Sequence, residues 1–448
     1  MSYYKPYPAY KDSGVDWLGP VPDHWQVVRM RYAATLNPPV RSDLLGDPDQ
    51  EVSFLPMEAI GEDGSLSLEQ VRPVADVRNG YSYFEDGDVA FAKVTPCFEN
   101  GKGALMRGLQ CAAGFGTTEL TVLRPKPAAA DARYINYIVQ GSSFRAFGAG
   151  AMTGAGGLKR VPDEFTRNFP VPLPELGEQR LIAAHLDSET ARIDALIEKK
   201  TRFIELLREK RQALITHAVT KGLDPNVKMK DSGVEWLGDV PEHWVVKRLK
   251  FIATVQTGIA KGKDNAEKDT VEVPYLRVAN VQDGYLDLDE VATIEVSTAD
   301  LPRYLLQSGD VLMNEGGDFD KLGRGHVWHG EIEPCIHQNH VFAVRPHGVS
   351  SEWLNTFTSS AAAQFYFMGR SKQSTNLASI SSSNLMELAV PLPCEEEQRL
   401  ILDELDRQTA KVNALGAKIE RSIALLKERR SALITAAVTG QIDLREAV

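Results

Sequence analysis

At 448 residues, with 43% hydrophobic and 25% charged positions, the chain is too long for one ordinary core, and its composition is that of a globular protein of two or more domains. No apolar run approaches the roughly 20 residues of a membrane span, the first 14 residues lack a signal peptide's apolar core, and four scattered cysteines (Cys97, Cys111, Cys335, Cys394) form no C-x-x-C, so a reducing cytoplasm is the expected location. The net charge of −11 runs against a nucleic-acid binder, unless basic side chains concentrate on one face or partner subunits supply the phosphate contacts.

In chain order, residues 11–31 read KDSGVDWLGPVPDHWQVVRMR, and an interior of short strands and helices follows over 24–170. Strand-like runs lie at 88–94 and 119–124, and a helix is predicted over 134–147. Polar side chains cluster between them: Lys93, Thr95, Glu99, Asn100 and Lys102, then Thr117, Thr118 and Glu119. After PLPELGEQRLI (172–182), the segment from Glu178 to about Thr220 has no glycine or proline, which predicts one long helix. Leu186, Ile193, Leu207 and Leu214 share one heptad position, with Lys200 as the exception. Ile197, Ile204 and Ala218 share the other, with Thr190 and Arg211 as exceptions. A 3-4 spacing kept up this long predicts a coiled-coil seam about 60 Å in length.

The linker 222–229 carries Pro225, which stops the helix, and then the chain begins again. Residues 230–250 repeat 11–31, residues 391–401 repeat 172–182 and residues 425–435 repeat 206–216, all at an offset of 219. The second interior (243–389) has strand-like runs at 273–279, 310–313 and 341–345 and a predicted helix over 353–368. Its polar clusters are Asn314, Glu315, Asp318, Lys321 and Arg324, then His337, Gln338, Asn339 and His340, then the loop 370–376 with Arg370, Lys372, Gln373 and Asn376. The second seam comprises Leu405, Val412, Ile419, Leu426 and Leu433, alternating with Thr409, Gly416, Ile423, Arg430 and Ala437. Pairing of the two helices with each other is the expected arrangement, and packing of each on its own globular domain is the alternative.

The interiors diverge while the frame is kept, which suggests one scaffold presenting two different binding surfaces. The clustered residue types are those that read base edges: Arg and Lys for guanine, Asn and Gln for adenine, Glu and Asp for the cytosine amino group. Solvated polar loops are the plainer account of any single residue. LNPP (36–39) lacks the aromatic that follows N-P-P in amino-methyltransferases. The glycine-rich run 148–157 lacks a Walker lysine and reads as a mobile loop. His326, His329, Cys335, His337 and His340 match no standard zinc spacing. Pro162-Asp163 with Glu198 and Lys200 mimics a nuclease signature, but the last two lie on the predicted coiled coil. No catalytic residue and no metal site are assigned.

SGV(D/E)WLG-x-VP-(D/E)HW, PLP-x₃-EQRLI and LL-(R/K)-E-(K/R)-R-x-ALIT, each present twice around divergent interiors, resemble the DNA-specificity subunits of type I restriction-modification systems. KVTPCFENGKG (93–103) and CIHQNHVFAVRP (335–346) are similar to runs in that family's target-recognition domains. The resemblance implies an α+β fold: a tandem duplication of a mixed α/β recognition domain followed by a long helix, the two helices pairing as an antiparallel coiled coil. It divides the chain into recognition domains 1–177 and 230–396, spacer helices 178–221 and 397–440, the linker 222–229 and a tail 441–448. It implies a non-catalytic reader of an asymmetric, split double-stranded DNA target, with no membrane association. Its expected partners are two methyltransferase subunits, which carry S-adenosylmethionine and methylate adenine N6. Motor-nuclease subunits, where they join, cleave unmodified DNA. No cofactor is expected on this chain. A scaffold holding two proteins without DNA readout, a self-contained methyltransferase or nuclease, and a methylation-only specificity subunit are the alternatives.

Overall fold

The computed structural model describes residues 4–155, 157–260, 269–317, 322–373 and 378–445. Packing divides the chain into two units, 1–201 with 421–448 and 202–420, so each unit takes part of both long helices.

Those helices are Leu176–Lys221 and Glu395–Val438, 46 and 44 residues long. Alanine, leucine, glutamate, lysine and arginine fill them, and left-handed glycines end them, Gly222 at φ 76° and Gly440 at φ 73°. In the first unit the amino-terminal part of the first helix lies with the carboxy-terminal part of the second, and Arg430 Nε meets Asp194 Oδ1 at 3.0 Å. In the second unit the remaining parts lie together, so the pairing is antiparallel. The seam is the expected one. Leu186, Ile193, Leu207, Leu405, Ile419 and Leu433 are buried, and Ile197, Ile204, Leu214, Val412, Ile423 and Leu426 are half-buried.

In the first unit, Ala34–Leu36, Leu120–Pro125, Val89–Ala92 and Gly103–Leu105 form an antiparallel sheet in that order. The second unit repeats it with Ala253–Thr257, Val341–Pro346, Val311–Asn314 and Gly325–Val327. The central strands Val89–Ala92 and Val311–Asn314 are buried along their length, which accounts for their run of apolar side chains. The other sheets diverge. The first unit has four strands, Val71–Pro73, Glu51–Leu55, Ala113–Gly116 and Ser82–Glu85, where the second has three, Ala292–Ser297, Thr270–Leu276 and Ile336–His337, among the described residues.

Each stretch predicted as one interior helix is two. Ala132–Gln140 and Ser142–Gly150 break at Gly141, which is extended (ψ 144°). Ser351–Thr358 and Ala361–Arg370 break at Ser360, whose hydroxyl accepts from Ala363 N and caps the second piece. The glycine-rich run also differs from its reading as a loop. It leads into a ribbon in which Thr153–Ala155 pairs with Leu158–Arg160. Gly154 is required there, because a Cβ would stand 2.4 Å from Leu158 O.

The repeated motifs lock each domain to its helix. Glu178, in the first turn of its helix, takes hydrogen bonds from Trp25 Nε1 (3.2 Å) and His24 Nε2 (2.8 Å). Glu397 takes them from Trp244 (3.1 Å) and His243 (2.9 Å). The next residue, Gln179, is fully buried, accepts from Asp131 N and donates to Ala129 O and Pro174 O. Gln398 repeats two of those bonds, to Ser350 N and Pro393 O. A second pair of locks closes the repeated sheet. The buried Asp88 receives Arg124 through two nitrogens (2.8 and 2.7 Å), and the buried Asp310 receives Arg345 likewise (both 2.7 Å). Fork-to-carboxylate geometry gives each bond direction as well as strength.

Candidate nucleic-acid interface

Beyond the buried central strand, each unit brings three chain segments to one junction. In the first, Lys93 N donates to Glu119 O and Val161 N donates to Lys93 O, both at 2.8 Å. In the second, Glu315 N donates to His340 O and Ile380 N donates to Glu315 O, both at 2.9 Å. The backbone wiring is the same, position for position, and the side chains are not. A third segment enters each junction as a pair of antiparallel strands: Thr153–Ala155 with Leu158–Arg160 in the first unit, Lys372–Gln373 with Ala378–Ser379 in the second.

Side chains at the first junction are arranged by these bonds. Thr95 Oγ1 donates to Gly157 O and accepts from Lys159 N, pinning the hairpin's second strand. Arg160 forks onto Glu119, Nε to Oε2 at 2.8 Å and Nη2 to Oε1 at 2.6 Å. Hydrogen bonding by Arg160 holds the Glu119 carboxyl below its usual range, so the pair stays ionised at neutral pH. Glu99, Asn100 and Thr118 are exposed, and Lys93 and Thr117 are half-buried. At the second junction, His340 Nδ1 donates to Glu315 Oε2 at 2.7 Å. Gln338 and Asn339 are half-buried beside it, and Arg370 and Lys372 are exposed. Arg324 lies apart, in an open cleft with Tyr285, Phe365 and Met368.

Three candidate readers are corrected. His337 is fully buried and its Nδ1 donates to Val341 O at 2.7 Å, so it cannot reach a base. Asn314 is fully buried, with Nδ2 donating to Val281 O at 2.8 Å. Lys102 turns inward, its ammonium bonded to Met57 O at 3.0 Å. All three follow buried strands or close loops, where polar side chains satisfy backbone carbonyls rather than face solvent. Asp318, Lys321 and Asn376 lie outside the described residues, as does the side chain of Gln373.

Lys159 and Arg160 were not singled out by sequence reasoning. The offset of 219 would have found them, because it maps 370–376 onto 151–157 and so marks the following strand. The discounted signals resolve into structure. Asn37 of LNPP accepts Val122 N with its side chain and holds a left-handed φ of 47°. Burial pushes the Cys335 thiol up to about 12, and among the described residues no three His, Cys, Asp or Glu converge as metal ligands.

Comparison with known proteins finds similarity in sequence and in fold to one family. Residues 241–424 match the family model of the type I restriction modification DNA specificity domain. The EcoEI and EcoAI type I specificity subunits of Escherichia coli are 39% and 41% identical over 164 residues, which is 36% of this chain and 27% of each relative. The EcoKI specificity subunit of Escherichia coli K12 is 25% identical over 280 residues, 61% of this chain and 57% of the relative. The chain thus spans about a quarter to somewhat over half the length of these relatives. The fold is shared with a chain from a type I R-M system (TM-score 0.72, 20% identity, 94% of this chain and 99% of that one). It is also shared with the HsdS subunit from Thermoanaerobacter tengcongensis (TM-score 0.52, 19% identity, 94% and 98%). The resemblance carried by the doubled motifs therefore holds.

Proposed function

Starting from a chain that resembles type I specificity subunits in sequence and shares their fold, we propose that it reads an asymmetric, two-part DNA target, one half with each junction. The observation that carries this reading is the pair of junctions: one backbone frame, two unmatched sets of polar side chains. A frame of this kind positions each set alike against a duplex, while the side chains choose the base. Because the sets differ, the two half-sites differ. The chain is a reader without a reaction of its own, and the methyl transfer to adenine N6 belongs to partner subunits that carry S-adenosylmethionine.

Two copies of that partner are proposed, because the long helices repeat their exposed leucines. Leu181, Leu196 and Leu425 are exposed in the first unit, and Leu400, Leu415 and Leu206 are their counterparts at the offset of 219 in the second. An exposed apolar row given twice fits one partner bound twice. Partner subunits that bring positive charge also answer the net charge of −11. A cleavage subunit would act on unmodified sites through the same readout.

The test is co-expression with the cognate methyltransferase, followed by single-molecule mapping of N6-methyladenine across the host genome. One asymmetric split motif, absent when this chain is omitted, is the expected result. Methylation unchanged by its omission from a verified complex would overturn the reading in favour of a scaffold holding two proteins, the alternative that an acidic chain with exposed leucines also suits.

A further inference from the structure

We propose that Arg160, held in place by Glu119, reads a guanine in the half-site taken by the first repeat. This rests on the DNA-reading function proposed above and names one of its specificity determinants.

A guanidinium has five N–H donors on a planar fork. Glu119 takes one side of that fork, with Nε on Oε2 and Nη2 on Oε1. This leaves the end of the fork, Nη1 and the second Nη2 proton, pointing away from the carboxylate. That end edge is the one that matches the O6 and N7 acceptors of guanine in the major groove. The carboxylate fixes both the plane of the fork and the direction of its free edge, so little side-chain entropy remains to be lost on binding.

Three observations separate base reading from the plainer roles. The Arg160 side chain is 44% exposed and Glu119 26%, so the pair stands at the surface of the junction rather than in the core. An exposed ion pair contributes little to stability, so folding alone gives little reason for its geometry. The pair is neutral as a unit, and a neutral unit is a poor phosphate contact, since phosphate affinity comes from net positive charge. Finally, the pair sits at the end of a hairpin pinned by Thr95, on a segment wired to the same frame as the other candidate readers.

Among the described residues, the second repeat has no such pair at the equivalent positions. Ser379 occupies the position equivalent to Arg160, and His340 the position equivalent to Glu119. A guanine contact made through this position therefore belongs to the first half-site only.

The experiment uses the full chain assembled with its methyltransferase partner. Methylation motifs are mapped for the wild type, Arg160→Ala and Arg160→Lys, and binding is measured to duplexes carrying guanine or 7-deazaguanine, which lacks the N7 acceptor. The expected result is that both variants lose the requirement for guanine at one position of one half-site, with the other half-site unchanged. Discrimination at that position should fall by about 10- to 100-fold. For the wild type, 7-deazaguanine at that position weakens binding, and for Arg160→Ala it does not. Arg160→Lys keeps the charge and loses the fork, so it should behave like the alanine variant. An unchanged motif in both variants, or a loss spread evenly over all sequences with Arg160→Lys retaining wild-type behaviour, would overturn the proposal. A wild-type complex that yields no split motif at all would instead overturn the DNA-reading function on which it rests.

Discussion

His337 shows how a single side chain can look like a reader and be a strut. Its Nδ1–H donates to Val341 O, which leaves Nε2 as the bare nitrogen, buried and without a partner among the described residues. Burial pushes its pKa below 6.5, because there is no room or partner for a second proton. The unfolded chain titrates near 6.5, so the stability due to this histidine is present above that pH. It is lost as the pH falls toward the folded pKa, with a slope of up to about 1.4 kcal/mol per pH unit. Denaturant unfolding between pH 7.5 and 5 should show the second unit weakening. His337→Gln, which still offers a donor to Val341 O, should flatten that slope, and an unchanged slope would clear His337 of the effect. HQNH (337–340) gives no sign of this from its letters, since alternation along a strand and a tight turn decide which of the four faces inward.

At the scale of elements, the long helices were the most legible part of the chain. The heptad named the inward-facing positions, and even the breaks at Arg211 and Arg430 fall in register. The breaks differ in outcome, however. Arg430 finds Asp194, whereas the equivalent partner position for Arg211 is Asn413, and Arg211 Nε is buried without a hydrogen bond among the described residues. Asn413→Asp should supply the missing acceptor and stabilise the second unit by about 1 kcal/mol. Thermal unfolding of the full chain checks this, and a lowered midpoint would show that the carboxylate cannot reach. The interior helices were less legible, because Gly141 and Ser360 sit within continuous apolar patterns and break them through backbone geometry alone. The hairpin 153–160 was hidden for a similar reason, as glycines that permit a tight ribbon also read as a loop.

For the molecule as a whole, the duplication was legible because three blocks kept one offset, and it gave the architecture directly. The proposed reading surfaces were legible only as places. Which side chains face outward depends on contacts between segments tens of residues apart, such as Lys93, Glu119 and Val161. The proposed partner stoichiometry is checked on the same scale. Leu196→Glu and Leu415→Glu place a charge on equivalent exposed positions of the two helices. Each variant should retain one methyltransferase in native mass spectrometry and the double variant none. Two copies retained by the double variant would remove these leucines from the docking face.

The locks at Glu178 and Glu397 have a consequence for the gene. Each interior is enclosed between two similar stretches, one ending in the histidine and tryptophan, the other carrying the glutamate and glutamine that receive them. A crossover between two such genes inside these stretches delivers a foreign interior into a frame that already closes around it. If the proposed reading function holds, new target preferences can then arise by exchange of whole segments, without the slow loss and regain of fit that point mutation of a binding surface entails.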